Sequence, residues 1–318
     1  MPSLGIIFPG QGSQAVGMGA DVVEHCAAAR ECFTSASSVL GYDLLSLVIS
    51  STPDELKETR VSQPAIFTAN VAIYRAVESL GYTPLVSAGH SFGEYCALTA
   101  AQAIDFEEAV RVVNERGLAM GEAADIAPGT MAAVIGLEES KVDDVCRRAR
   151  TESGQRVEIG NLNTPEQIVI SGDVAAVEAA CALAKEAGAK RVRILNVSGA
   201  WHSELMQPAM PRFTRAVEAA ALRLPQFTVI SNVTAQPYTS VDEIRRCLIA
   251  SLCQRVRWHD TAAALAAMQP DIIIECGASE VLAPMMRRLA NVESGKVVHV
   301  ADWSGVERLQ TLAAGARV

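Results

Sequence analysis

Eight cysteines are scattered through the 318 residues, yet no C-x-x-C pair occurs among them. That absence removes the usual zinc spacing and the paired-thiol redox motif, so no metal site is expected. Cys26, Cys32, Cys96, Cys146, Cys181, Cys247, Cys253 and Cys276 lie mostly inside apolar segments and read as small core hydrophobes of a reducing compartment. Aromatic residues make up only 5% of a chain that is 50% hydrophobic, which predicts an aliphatic, alanine-rich core of the α/β kind. Lysine and arginine form no block interleaved with aromatics, and the formal net charge is −9, which argues against a nucleic-acid partner. No apolar run approaches the roughly 20 residues needed to span a bilayer, so no membrane partner is expected. The N-terminal segment through Phe8 has no basic flank and runs straight into a strand pattern. These features predict a soluble, cytoplasmic chain made of one large domain with room for an insertion.

What is present centres on Gly89-His90-Ser91-Phe92-Gly93-Glu94, between the apolar run Pro84-Leu85-Val86 and an alanine-rich helix from Tyr95 to Ala103. Gly-x-Ser-x-Gly between a strand and a helix is the pattern of a nucleophile elbow. The reason is steric: the serine occupies a strained turn, and residues two before and two after it must be small for strand and helix to pass. The helix N-terminus then points free N–H groups at the place where a tetrahedral oxyanion would form. Ser91 is therefore the candidate nucleophile, the alternative being an ordinary Gly-Ser turn.

Gly5 to Phe8 reads as a buried strand closed by Pro9-Gly10-Gln11-Gly12-Ser13-Gln14. Gly10, Gly12 and Ala15 match the dinucleotide pattern, but residues 19–40 read as helix where a second strand should end on a ribose-binding acid. A loop whose N–H groups face a neighbouring active site accounts for the same glycines. A long helix is expected over Val61–Leu80. Another starts at Asp105-Phe106-Glu107-Glu108, read as a capping box, and runs to about Met120. On it Arg116 falls at the edge of the apolar stripe beside Ala109 and Met120, with Arg111 opposite. Taken alone, Arg116 reads first as a structural ion pair or a snorkelling side chain, with a ligand contact as the alternative.

Pro128-Gly129 marks a boundary, after which strands and helices follow in the order β-α-β-β-α-β: Thr130–Gly136, Glu138–Arg150, Val157–Asn161, Ile168–Ser171, Val174–Ala187 and Arg191–Leu195. This is the ferredoxin-like order. The fold class expected is α/β, with an α/β-hydrolase-like large subdomain (1–128 and 196–318) carrying a parallel sheet and the elbow. A ferredoxin-like small subdomain (129–195) is inserted in it. A large-domain strand is expected over Ile194–Val197, leading to Ser198-Gly199-Ala200-Trp201-His202-Ser203. Further strands are expected at Phe227–Val233, Ile272–Cys276 and Val297–Val300, with helices at Asp260–Met268 and Glu280–Leu289.

Of five histidines, His25 sits in a helix, His259 follows Trp258 and His299 lies in a strand. His90 adjoins the nucleophile but should point away from it, because neighbouring side chains on extended backbone alternate. His202 remains, on a loop of small residues, as the base that deprotonates Ser91 and later returns the proton to a leaving group. The acids between Ser91 and His202 in the chain belong mostly to the insertion, which favours a Ser-His dyad oriented by a backbone carbonyl over a full triad.

With these residues the chain resembles the malonyl-CoA:acyl-carrier-protein transacylases and the related acyltransferases of polyketide synthases. The resemblance runs through Phe8-Pro9-Gly10-Gln11-Gly12-Ser13-Gln14, Gln63-Pro64-Ala65, the elbow, Arg116-Gly117-x-x-Met120 and Met131-Ala132-Ala133-Val134. It continues through Asn163-x-Pro165-x-Gln167, Val197 to Ser203, Ser231-Asn232-Val233-Thr234, Val256-Arg257-Trp258 and Glu275-Cys276-Gly277. It implies ping-pong transfer. Ser91 takes an acyl group from a coenzyme A thioester and passes it to the phosphopantetheine thiol of an acidic acyl carrier protein, with no bound cofactor and as a monomer. It implies His202 as general base and acid, N–H groups of Gln11 and Phe92 as the oxyanion hole, and Arg116 as a bidentate partner for a malonyl-type carboxylate. Trp201, where malonyl-specific relatives carry a smaller side chain, would shape the acyl pocket. Ser251 stands where relatives carry glutamine, near the carbonyl that orients the histidine, and Arg255 replaces their proline. An editing acyl hydrolase, a transferase for an unusual acyl group and a non-catalytic docking subunit are the competing readings. Carrier docking would use a local basic patch, with Lys185, Lys190, Arg191, Arg193, Arg287 and Arg288 as candidates that are equally well read as solvated faces.

Overall fold

In the computed structural model, which describes residues 2–289 and 291–315, two sheets divide the chain. The first is parallel, in the order β7-β2-β1-β8-β9, from β1 (Ser3–Phe8), β2 (Thr83–Gly89), β7 (Thr228–Ile230), β8 (Ile272–Cys276) and β9 (Val297–Val300). Its central strand β1 is buried from Leu4 to Phe8, as a parallel strand covered by helices on both faces must be. The second sheet is antiparallel, in the order β4-β5-β3-β6, from β3 (Thr130–Ile135), β4 (Val157–Thr164), β5 (Gln167–Gly172) and β6 (Arg191–Ile194). With helices Glu139–Ser153 and Val174–Glu186 this is the ferredoxin-like arrangement, inserted in the larger α/β unit.

Period-two alternation gives the small sheet two different faces. Ala132, Val134, Ile168 and Ile170 pack under its two helices, whereas Met131, Ala133 and Val169 point toward the large sheet. Two backbone hydrogen bonds that flank a parallel bridge between Asn161 and Val256 join the two units: Val256 N–H donates to Gly160 at 2.8 Å, and Leu162 N–H donates to Val256 at 2.8 Å. Beside it Arg255 reaches Glu139 at 2.8 Å and Asp143 at 3.7 Å on the small unit's first helix.

The register of the large sheet sets Phe8 opposite Gly89, so the loop after β1 and the elbow after β2 leave the carboxyl edge side by side. This is where open α/β sheets form their crevice.

Four expectations are corrected. No strand forms over 194–197: β6 ends at Ile194, and only Leu195 N–H prolongs the pairing, to Met131 at 2.9 Å. Past Leu195 the segment pairs with neither sheet and runs on as a loop, so His202 arrives from the small sheet's edge strand β6. The helix over 280–289 shrinks to Ala283–Met286. Residues 19–40 hold two helices, Ala20–His25 and Ala27–Leu40, broken where Cys26 turns extended. The helix Phe106–Ile126 begins without a side-chain cap, because the Asp105 carboxylate is taken by Arg223. Among the described residues no single helix is long and apolar enough to cross a membrane.

Candidate active site

Ser91 has φ +54°, a left-handed conformation that a residue with a Cβ adopts only under constraint. The constraint is visible in its neighbours. A Cβ on Gly89 would stand 2.0 Å from the Gly93 carbonyl carbon, and one on Gly93 would stand 2.3 Å from the Phe8 oxygen. Both glycines are required, for the steric reason read from the sequence. Gly89→Ala is expected to lower stability by about 1–3 kcal/mol, the usual cost of overpacking. It should also slow labelling of Ser91 by a serine-directed sulfonyl fluoride, so thermal unfolding and labelling rate together check it.

Behind the turn, Asn232 grips both sides of Ser91: its Oδ1 accepts from Ser91 N–H at 3.2 Å, and its Nδ2 donates to the Ser91 carbonyl at 3.0 Å. Asn232 is held in turn by buried Glu94, which also accepts from Tyr238 Oη at 2.8 Å. Burial pushes the Glu94 carboxyl up, while the bonds from Asn232 and Tyr238 pull it back. Ser91 N–H is thus occupied, and Gly93 N–H donates to the His90 carbonyl. Phe92 N–H and Gln11 N–H find no acceptor among the described residues. The Gln11 side chain is turned away, its amide donating to the Lys57 carbonyl at 3.2 Å. Gly10 lies close enough that a Cβ there would meet the His90 oxygen at 2.5 Å and Ser91 Cβ at 3.4 Å.

His202 Nε2 stands 2.8 Å from Ser91 Oγ, and Nδ1 stands 2.8 Å from the carbonyl of Ser251, just past the helix Val241–Ala250. A carbonyl can only accept, so the proton sits on Nδ1, and Nε2 is left to accept from the serine hydroxyl. The contact uses the backbone of Ser251, so loss of a glutamine side chain there leaves it intact. Burial, and then the nearby Arg116 charge, push the imidazole down to about 3 against the opposing pull of the Ser251 carbonyl. The ring is therefore neutral near pH 7. His90 faces elsewhere, with Nε2 2.9 Å from Asn163 Oδ1.

Arg116 is 1% exposed. It comes from the helix Phe106–Ile126, donates through Nη1 to Gln63 Oε1 at 2.8 Å, and directs Nη2 at Ser91 Oγ across 3.4 Å. Its Nε has no partner, and no carboxylate among the described residues lies within ion-pair distance of it. Gln63 itself is fully buried and braced by Thr59 at 2.8 Å. Trp201 is buried beside His202, with its ring over Gly199, where a Cβ would approach it to 2.6 Å.

Five of the six sequence-derived residues, Gln11, Ser91, Arg116, Trp201 and His202, line one cavity of about 460 Å³ between the two sheets, and Phe92 follows Ser91 in the chain with its side chain buried. Sequence reading attached no role to Gln63, Asn232 or Glu94. The signal was there, since Gln63 is a polar residue within an otherwise apolar helix stretch, yet what it braces is remote in sequence. Among the described residues no group of three or more His, Cys, Asp or Glu could hold a metal.

Residues 6–304 match the model of the acyl transferase domain family. A malonyl CoA-acyl carrier protein transacylase of Bacillus subtilis (strain 168) is 39% identical over 98% of both chains. The solved malonyl CoA-acyl carrier protein transacylase of Coxiella burnetii superposes with a TM-score of 0.92 at 38% identity, covering 98% of each chain. A malonyl-transacylase solved in complex with a type II polyketide synthase acyl-carrier protein gives 0.90 at 37% identity, over 97% of this chain and 99% of that one.

Proposed function

Because this chain belongs to the acyl transferase family, we propose that it moves a malonyl group from coenzyme A to the phosphopantetheine thiol of an acyl carrier protein, through an ester on Ser91. The observation that carries the malonyl choice is Arg116, a buried guanidinium facing the Ser91–His202 pair with no acidic partner among the described residues. A carboxylate one methylene beyond the reacting carbonyl carbon supplies that partner, in the bidentate form that guanidinium favours.

Ser91 Oγ adds to the thioester carbonyl while His202 Nε2 takes its proton. The oxyanion is held by the free N–H groups of Phe92 and Gln11. The C–S bond then breaks, and His202 returns the proton to the sulfur of coenzyme A. In the second half the pantetheine thiol gives its proton to His202 and attacks the ester, and Ser91 leaves with that proton. The reaction needs no bound cofactor. The same reading takes 1–128 and 196–318 as the catalytic subdomain and 129–195 as the small one, in a monomeric cytoplasmic enzyme. The carrier is acidic; Arg193, exposed at the cavity rim, favours it, whereas Lys190 and Arg287 are engaged by Glu166 and Glu280. Fatty-acid and polyketide assembly both use such a step.

The test is intact mass after incubation with a panel of acyl-CoAs, with and without holo carrier protein. Malonyl-CoA should leave a malonyl ester that maps to Ser91, is absent in Ser91→Ala and is discharged by the carrier. An adduct on a cysteine, or discharge to water alone, would overturn the assignment.

Trp201 supplies a specificity prediction. A bulky ring beside His202 crowds an α-methyl branch, so Trp201→Ser should raise methylmalonyl relative to malonyl loading in a competition assay. Removing a buried tryptophan costs about 3–5 kcal/mol of stability, so the ratio is read on the folded fraction.

A further inference from the structure

Arg116 has a second relation to the chemistry besides recognition. Its Nη2 is 3.4 Å from Ser91 Oγ, and that oxygen is 2.8 Å from His202 Nε2. When Oγ adds to a thioester carbonyl, its proton moves to Nε2, and the imidazolium persists until the departing sulfur takes the proton back. A second cation is thereby created in one buried enclosure, separated from the guanidinium by a single hydroxyl. Like charges about 6 Å apart at an effective dielectric of about 20 slow such a step about 100-fold. The charges facing His202 are those of Arg116 and, when protonated, His90, both opposing its protonation, whereas the Ser251 carbonyl favours it.

Resting on the reading of Ser91 as the acylated residue, we propose that the substrate's carboxylate switches the nucleophile on. By closing on Arg116 it cancels the charge that opposes His202 and draws Nη2 off the hydroxyl. An acyl group without a carboxylate is then slow because the site stays repressed, apart from any weaker binding. Nε of Arg116 has no protein hydrogen bond to break, so a carboxylate that takes Nε and Nη2 displaces only the 3.4 Å contact of Nη2 with Ser91 Oγ.

One consequence distinguishes this from recognition alone: the carboxylate and the acyl group need not be one molecule. A malonyl group is an acetyl group bearing a carboxylate, so formate seated on Arg116 should activate acetyl-CoA. The experiment measures Ser91 acetylation by acetyl-CoA through intact mass across a formate series, at constant ionic strength set with chloride. Acetylation of the wild-type protein should rise to saturation, about 10- to 100-fold, while formate competitively slows malonyl-CoA loading. In Arg116→Met, acetylation should be faster than wild type without formate and should not respond to it. A flat or falling wild-type series, with malonyl-CoA still loading Ser91, overturns the switch while leaving the transferase reading intact. An equal rise in Arg116→Met overturns it too, since formate would then be acting as a base. Failure of malonyl-CoA to load Ser91 overturns both. The wild-type series decides the matter even if the variant does not fold.

Discussion

Replacing His202 by alanine is expected to slow both malonylation of Ser91 and its discharge to the carrier by about 100- to 10,000-fold, the range for a positioned general acid–base. Coenzyme A binding should be unchanged, because the imidazole touches the serine hydroxyl and a backbone carbonyl. The pH profile carries further information. Burial and Arg116 hold the imidazole down to about 3. A depressed value means that the neutral base survives as pH falls through 6.5, the ordinary histidine range. The acylation rate of the free enzyme should therefore show no inflection near pH 6.5, and its acid limb should lie well below. Rapid-quench measurement of the Ser91 ester from pH 4.5 to 8 checks both the loss and the profile. Unchanged turnover in His202→Ala would move the base to another residue.

Arg116→Ala is expected to reduce malonyl loading by hundreds- to thousands-fold while acetyl loading holds or rises. Truncating one partner of a buried charge pair costs about 3–5 kcal/mol, which becomes that rate factor if the contact persists in the transition state. The acetyl group makes no use of the guanidinium and is relieved of its charge. Competitive loading by malonyl-, methylmalonyl- and acetyl-CoA, read on Ser91, separates this from general damage, which would lower all three together. Gln63→Ala should move in the same direction by less, since it removes only the Nη1 acceptor that aims the fork.

What could be read in the chain follows from how local each constraint is. The elbow was legible because its cause lies within five residues: Gly89 and Gly93 are small because their backbones nearly touch. The ferredoxin-like order was legible because turn residues and period-two runs punctuate 130–194. The capping box at Asp105 failed because its carboxylate is claimed by Arg223, a residue 118 positions away. The strand over 194–197 failed because β propensity does not say whether a segment lies beside a strand it can pair with.

The sequence by itself determined the strained turn that presents Ser91, the two sheet types and an arginine at the edge of an apolar stripe, since sterics and periodicity act over short stretches. The tertiary structure alone decided what that arginine meets. Packing of the small sheet against the carboxyl edge of the large one carries His202 across the cleft, puts the Ser251 carbonyl behind it, and leaves Arg116 buried at the serine with no carboxylate among the described residues in reach. Hydroxyl, imidazole and guanidinium come together only there, because distances between residues far apart in the chain are set by the packing of the two sheets and not by the chain between them.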